Sequence, residues 1–509
     1  MRVIVSPINA TLLDPPPEVA AAIHKALTTN TANHSRTGPM RLTPITFVEE
    51  GPGGIAFPAG LLRMPAVLKA LGSAGPYETL ETHPAPAPIG KPSELRWWSP
   101  ERPPRPYQAE AADALVAARR GVVVLPTATG KTTTGALALA AIPGRLAWFV
   151  RKRGLVTQPA REFEAAGFPR PIFTAMGGKF PDPDDLPDDA VVFGTVQTAI
   201  ENENARRYLA TATGVFADEC HRLPALQFLT LYSLARMAVY RGGFTATLPN
   251  DRGRLLALYG ATGPRVGPSV TAKSARIRYG IAKKVVAITV EYGGPGFRKN
   301  VNPTWAKNAL YRNALRNEGV IATAEAVARA GWRPIVFCEW LERQAAPIAE
   351  ALAARGLRVS LLTGAVPVPE RESASTDLAE GRIDVIVATD VLGEGIDLHP
   401  ACNCAVIVGV TASGLEQRVG RVRRGTADQT ALVIDFADVS NRQQTKDDLA
   451  RGVDPETSTQ EINALARANV LRKMSEWIVE GVPLARISAA VVEARRGGIP
   501  SATGTGAGA

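Results

Sequence analysis

Three short stretches carry residue types able to manage a chain of phosphates. The first is Leu125–Thr132, LPTATGKT, which follows the apolar run Val122–Val124 and precedes the helix-forming TTTGALALA. A strand, a tight loop and a helix start turn several backbone N–H groups, and the positive end of a helix dipole, toward one phosphate. In such a loop Thr127, Ala128, Thr129 and Gly130 cradle the phosphates, Lys131 reaches the β and γ groups, and the Thr132 hydroxyl holds Mg²⁺. Leu125 stands where the general pattern has its first glycine. The second stretch is Gly214–His221, GVFADECH, an apolar strand ending in two acids. Asp218 is suited to bind a divalent cation and Glu219 to orient and deprotonate a water. Capping of the next helix is the alternative for both. The phosphate loop upstream favours the metal and water roles, on a neighbouring strand of the same sheet. The third stretch is Ser413–Arg424, SGLEQRVGRVRR, where Ser413 and Glu416 fit a capping box opening a helix. Gln417, Arg421 and Arg424 then share one face at i, i+4 and i+7. Two guanidinium groups there can each donate a forked pair of hydrogen bonds to developing negative charge. Arg418 and Arg423 lie elsewhere on the helix and are expected on a solvated basic face or in contact with a phosphate backbone.

Positioning these residues calls for parallel strands joined by crossover helices. From Pro106 to about Gly294 short apolar runs (VVVLP, RLAWFV, AVVFG, GVFAD, RGGFTAT) alternate with longer amphipathic ones. A second set follows to Asp438, with strands expected at PIVFC, RVSLLTG, DVIVATD, CAVIVGV and ALVIDF. The pattern predicts an α/β protein with two tandem doubly wound domains, at 97–298 and 299–450. A small α/β accessory unit is expected at 1–96, with a strand at Arg2–Val5, a helix at Pro17–Leu27, a strand around Ile45–Glu49 and a helix at Ala59–Leu71. Proline and glycine density from His83 to Pro106 marks a linker. Residues 451–509 read as a helical extension ending in the flexible tail GGIPSATGTGAGA.

A chain of 509 residues exceeds one compact core, so about three structural units are expected. No apolar run approaches the roughly 18 to 20 residues that span a bilayer. The start, MRVIVSPINATLLDPPP, makes a poor signal peptide, so a cytoplasmic location is expected. Cys220, Cys338, Cys402 and Cys404 are too few and scattered for a disulfide framework and lack zinc-site spacing. The formal net charge of +10 favours phosphate-rich partners.

With these residues in view, the chain resembles the superfamily 2 helicases of the DExH type over about Arg105 to Asp435. RPYQ, Arg105–Gln108, is similar to the adenine-reading segment, and LPTATGKT to motif I, with Ala128 where the family usually has glycine. VRKRGLVTQ, Val150–Gln158, and FGTVQTA, Phe193–Ala199, resemble strand-contacting motifs. DECH is similar to motif II, TAT at Thr245–Thr247 to motif III, and IVFCEW to motif IV. ATDVLGEGIDL resembles motif V and QRVGRVRR motif VI. After TAT the chain departs from the family pattern, with Asn250 and Arg252 in TATLPNDRGR.

The resemblance implies two RecA-like motor domains that use ATP and Mg²⁺. It implies that Arg105 and Gln108 bind adenine, that Lys131 and Thr132 hold phosphate and Mg²⁺, and that Asp218 and Glu219 do metal and water work. Gly395 and Asp397 are implied to approach the nucleotide, Arg421 and Arg424 to act as arginine fingers beside Gln417, and Thr195, Gln197 and Thr389 to contact a nucleic-acid backbone. RPYQ, DECH and GEGIDL look most like the branch acting on double-stranded or branched DNA, and the N-terminal pattern resembles phage helicases of the UvsW type. The expectation is therefore a monomeric DNA motor of recombination, replication or repair, in a bacterial or phage-infected cytoplasm. RNA is the lesser expectation. The rival readings are a translocase subunit of a restriction system, an RNA helicase, and a non-hydrolysing nucleic-acid-binding module.

Overall fold

The computed structural model describes residues 1–33, 41–98, 103–127, 129–222, 225–280, 283–294, 310–389, 398–409, 414–440 and 459–500. Ala128, Gly395, Asp397 and Ser413 therefore lie outside the described residues. The chain divides into two compact units: Met1–Pro126 with Gly130–Thr271, and a second taking Ala272 onward together with Thr127–Thr129.

The first unit is built on a seven-stranded sheet. In chain order its strands are β1 (Arg120–Val124), β2 (Leu146–Val150), β3 (Ile172–Ala175), β4 (Val191–Thr195), β5 (Gly214–Asp218), β6 (Tyr240–Thr245) and β7 (Arg265–Val266). They lie side by side as β3-β4-β2-β5-β6-β1-β7, every pair parallel. Helices cover such a sheet on both faces, so its strands read as unbroken apolar runs. All five residues of LAWFV are buried, as are all five of VVFGT. Trp148, fully buried at the centre of β2, stacks on Phe244 of β6 at 4.9 Å between ring centroids.

The second unit repeats this topology. Its strands are β8 (Lys284–Gly294), β9 (Pro334–Phe337), β10 (Val359–Leu362), β11 (Val385–Ala388), β12 (Cys404–Ile407), β13 (Thr430–Ser440) and β14 (Trp477–Pro483). Their order is β10-β11-β9-β12-β13-β8-β14, again wholly parallel, so each strand holds the place of its counterpart in the first sheet. The doubly wound pair expected from the sequence is present, but the boundary expected at 298 gives way to one at Ala272. KVVAITVEYGG pairs along its whole length with β13, and that long-range ladder fixes its membership in the second sheet. The C-terminal region is helical at Thr459–Met474 and Ile487–Arg495, and between them it also adds β14 to the sheet. Inside this unit the fully buried Arg467 Nε donates to both Asp435 oxygens, at 2.9 and 3.0 Å, and ties helix Thr459–Met474 to β13.

Ahead of the first large sheet stands a five-stranded one, ordered Glu49–Gly51, Gly54–Pro58, Asn9–Leu13, Arg2–Val5, Glu78–Glu81, with helices Pro17–Leu27 and Pro65–Ser73. The single helix expected over Ala59–Leu71 is two elements, because Pro65 pushes Met64 to an extended conformation, φ −66° and ψ 137°. This small core takes in Leu256, from the motor helix Arg252–Thr262. Three arginines tie the two together: Arg63 Nη1 donates to the Ala118 carbonyl at 2.7 Å, Arg120 Nη2 to Pro7 at 2.7 Å, and Arg252 Nη2 to Ala26 at 2.9 Å. The proline-rich stretch expected as a linker is strapped to the motor. The Pro86 carbonyl accepts from Tyr240 Oη at 2.8 Å, and Ile89 N donates to Ala141 at 2.8 Å.

Candidate nucleotide site

In a parallel sheet the loops that meet ligands leave the carboxyl ends of the strands. Register aligns three such ends in the first unit: Val124 pairs with Thr245, and Phe244 with Asp218. The phosphate loop, motif III and motif II therefore leave one edge together. The strands of the first two are neighbours. Those of the loop and the acids, expected side by side, are separated by β6, because the chain returns after β5 to fill the space between them.

Gly130 opens helix Lys131–Ala141 at φ 83° and ψ 51°, a left-handed conformation that side chains with a Cβ resist. A Cβ there would also stand 2.2 Å from Gln108 Nε2. Five residues on, a Cβ on Gly135 would sit 2.4 Å from the Trp148 ring, so this glycine lets the phosphate-loop helix settle onto the sheet. Gln108 is 2% exposed. Its Oε1 accepts from Arg105 N at 2.8 Å, and its Nε2 lies 3.4 Å from the Gly130 carbonyl. In the described structure Gln108 thus caps its own helix and braces the phosphate loop. Thr129 is buried, and Thr132 lies in the helix's first turn with its residue half-buried.

Lys131 Nζ stands 3.2 Å from Glu219 Oε1. Glu219 has φ 45°, uncommon for a residue other than glycine and of the kind that collects at working sites. Its backbone N–H donates to Asp218 Oδ1 at 2.8 Å. Burial drives the Asp218 carboxyl up to about 7; Glu219 adds to that shift and Lys131 opposes it. His221, not singled out from the sequence, joins the set: its Nδ1 is 3.4 Å from Glu219 Oε2 and shares a 2.6 Å hydrogen bond with Thr245 Oγ1. The same hydroxyl donates to the Thr247 carbonyl at 2.7 Å. A continuous path runs from Lys131 through Glu219 and His221 into TAT. Its sequence signal was the His of DECH together with a threonine on the adjacent strand.

Of the expected nucleic-acid contacts, Thr195 is 5% exposed and caps helix Val196–Glu201, accepting from Thr198 N at 3.1 Å. Gln197 is exposed and donates to Glu201 at 3.1 Å. Thr389, half-buried just past β11, donates its backbone N–H to Leu362 at 3.1 Å.

In the second unit the expected arginine helix spans Leu415–Val422 and starts from Gly414, φ 77°. Gln417 and Arg421 lie on it, while Arg424 falls just beyond its end; all three are half-buried. Arg418 and Arg423 correct the expectation of a solvated surface, being only 4% and 2% exposed. The apolar side of this helix packs into the second core, and partners distant in sequence meet the two arginines there. Arg418 Nη1 stands 3.9 Å from Glu339 Oε1, and Arg423 Nη1 donates to Met474 at 3.1 Å with Nη2 3.4 Å from Glu476. Both are internal fastenings. The four cysteines are buried free thiols, as expected.

Comparison with known proteins agrees with this geometry. Residues 101–250 match the family model described as "Type III restriction enzyme, res subunit", and 320–426 match "Helicase conserved C-terminal domain". The chain is 24% identical over 346 residues to the ATP-dependent DNA helicase uvsW of Enterobacteria phage T4, across 66% of this chain and 68% of that one. It is 27% identical over 335 residues to the DNA 3'-5' helicase XPB of Kineococcus radiotolerans, across 64% of this chain and 58% of that one, so it spans little more than half of the latter. Among solved structures, S. cerevisiae Dbp5 bound to RNA and ADP BeF3 is similar with a TM-score of 0.51 at 17% identity, covering 76% of this chain and 94% of that one, a likeness of fold. No described helix is long and apolar enough to cross a membrane. With a helicase C-terminal model matched in the second unit, a restriction-enzyme res-subunit model matched in the first, and two sheets of one topology, the chain belongs to superfamily 2, a family of ATP-driven helicases.

Proposed function

We propose that this chain hydrolyses ATP to move along or remodel double-stranded or branched DNA, as a monomeric motor. The observation that carries the reading is the Lys131–Glu219–His221–Thr245 path beside Asp218, at the shared carboxyl edge of β1, β6 and β5. Lys131 takes the β and γ phosphates, which draws its ammonium off Glu219 and frees that carboxylate to accept a proton from the attacking water. Backbone N–H groups of Thr127–Gly130 cradle the phosphates, and Arg105 with Gln108 meets the adenine while bracing Gly130. Arg421 and Arg424, with Gln417 beside them, are assigned to negative charge developing on the transferred phosphoryl group. Gly395 and Asp397 carry the motif V contacts to nucleotide. Thr195, Gln197 and Thr389 are assigned to a nucleic-acid backbone, so sequence preference is weak.

The donor set fits Mg²⁺. Asp218 and Thr132 offer two hard oxygens, and Mg²⁺ is held by one or two carboxylates with waters and substrate phosphates completing its shell. Glu219 beside Asp218 helps hold the Asp218 carboxyl up, a crowding of negative charge that a bound cation would offset. When bound, the ion neutralises phosphate charge.

DNA is preferred over RNA because the curated relatives aligned over about two thirds of this chain are named as DNA helicases. A restriction-system translocase is the second reading, favoured by the family match over 101–250. ATP turnover measured with single-stranded DNA, duplex DNA, forked DNA and RNA tests the proposal. Stimulation strongest with duplex or forked DNA supports it, and stimulation by RNA alone refutes it.

A further inference from the structure

The amino edge of the second sheet, away from the loops that leave its carboxyl ends, holds a cavity of about 380 Å³. Arg333 and Asn403 each stand one residue ahead of a strand, as does Lys283, while Thr430 opens β13 and Arg495 and Gln429 also line the cavity. Three cations line it and no carboxylate does.

Its polar groups are turned one way. Asn403 Oδ1 accepts from Arg333 N at 2.9 Å, and Gln429 Oε1 lies 3.4 Å from Thr426 N, so both side-chain carbonyls are engaged with backbone and both NH₂ groups remain as donors. The Arg333 guanidinium makes no hydrogen bond or ion pair among the described residues. Asp384, a carboxylate whose charge Arg333 senses, is already paired with Arg358 at 2.6 Å. Arg495 stacks over the Trp332 ring at 5.1 Å and is otherwise exposed. Lys283, 2% exposed, spends its ammonium on the carbonyls of Pro400, Cys402 and Val422, and burial draws its pKa down to about 8. Carbonyl oxygens account for Lys283 as a fastening. They leave Arg333, Arg495 and the two amide donors facing open space with no acceptor.

We propose that this cavity binds a phosphoryl group, carried either by a nucleic-acid backbone or by a free phosphate compound. The site is built in one motor unit and owes nothing to ATP hydrolysis, so it goes beyond the functional reading above and can fail or stand separately from it. Forked guanidinium donation to phosphate oxygens, supported by amide N–H groups, is the recognition involved.

The test uses the full chain carrying Lys131→Ala, which removes the phosphate-loop lysine as a competing phosphate ligand. Inorganic phosphate is titrated calorimetrically at constant ionic strength, then again with Asn403→Asp or Arg333→Gln added. Asn403→Asp keeps the acceptor for Arg333 N and places a carboxylate where the donor stood, so the fold persists while an anion is repelled. Saturable binding weakened at least tenfold by both substitutions is expected. In parallel, affinity for a forked DNA duplex is followed against salt. A log–log slope reduced by about 1 in Arg333→Gln assigns the phosphate to a DNA backbone, and an unchanged slope assigns it to a free phosphate compound. No saturable phosphate binding, or binding that both substitutions leave intact, overturns the proposal.

Discussion

Glu219 makes three commitments at once: a left-handed backbone, an ion pair to Lys131, and a carboxylate oxygen near His221. Replacing it by Gln keeps the shape and loses the base, so Glu219→Gln should bind ATP and nucleic acid normally while turnover falls about 10²- to 10⁴-fold. Turnover at the wild-type rate would return Glu219 to a capping role. Asp218 permits a prediction with a definite sign. Its folded-state value is raised, so its charge costs nothing below the unfolded value of about 4 and destabilises the nucleotide-free protein progressively as pH rises through about 7. Asp218→Asn should therefore melt higher than wild type at pH 8, with the gap closing toward pH 4, and should lose ATP turnover. Equal melting midpoints at pH 8 would show that the carboxylate is not penalised. The strand and helix start around Lys131, and the strand ending at Asp218 and Glu219, were legible in the sequence because they are local patterns. Arg418 and Arg423 were not legible, since what buries them lies at Glu339 and Glu476.

The phosphate loop is held as an element, by a glycine at each of two close approaches. In Gly130→Ala the added Cβ meets both a left-handed φ and Gln108 Nε2 at 2.2 Å. The backbone alone costs roughly 1–2 kcal/mol. The expected outcome is weakened ATP binding, with the Gly130→Ala loss smaller in a Gln108→Ala background than in the wild type, measured as a double-mutant cycle in nucleotide affinity. Strict additivity would mean that Gln108 does not brace the loop. The apolar strands of both sheets were readable as runs, whereas Ile172–Ala175 and Arg265–Val266 are too short to announce themselves. Lys284–Gly294 was visible as apolar sequence, but only its pairing with β13 assigns it to the second sheet. Trp477–Pro483 was hidden between two helices and owes its strand to the ladder with β8.

At the scale of the molecule, two sheets of one strand order sit in one chain, and the N-terminal sheet is fastened to the first. The sequence predicts a separate accessory unit on a proline-rich linker, and we propose that this unit helps to select the DNA structure. The shared core residue Leu256 and the arginine ties to Ala118, Pro7 and Ala26 give the unit a structural task as well. A chain beginning at Trp97 should therefore melt several degrees lower than the full chain, with a loss of fork preference on top; an unchanged midpoint would make the packing dispensable. If hydrolysis at Lys131, Asp218 and Glu219 drives movement on DNA, the chain displaces a strand from a labelled forked duplex. Displacement by the wild-type chain should require hydrolysable ATP and fall at least about 10²-fold in Lys131→Ala. Displacement that proceeds equally without ATP, or undiminished in Lys131→Ala, would contradict it.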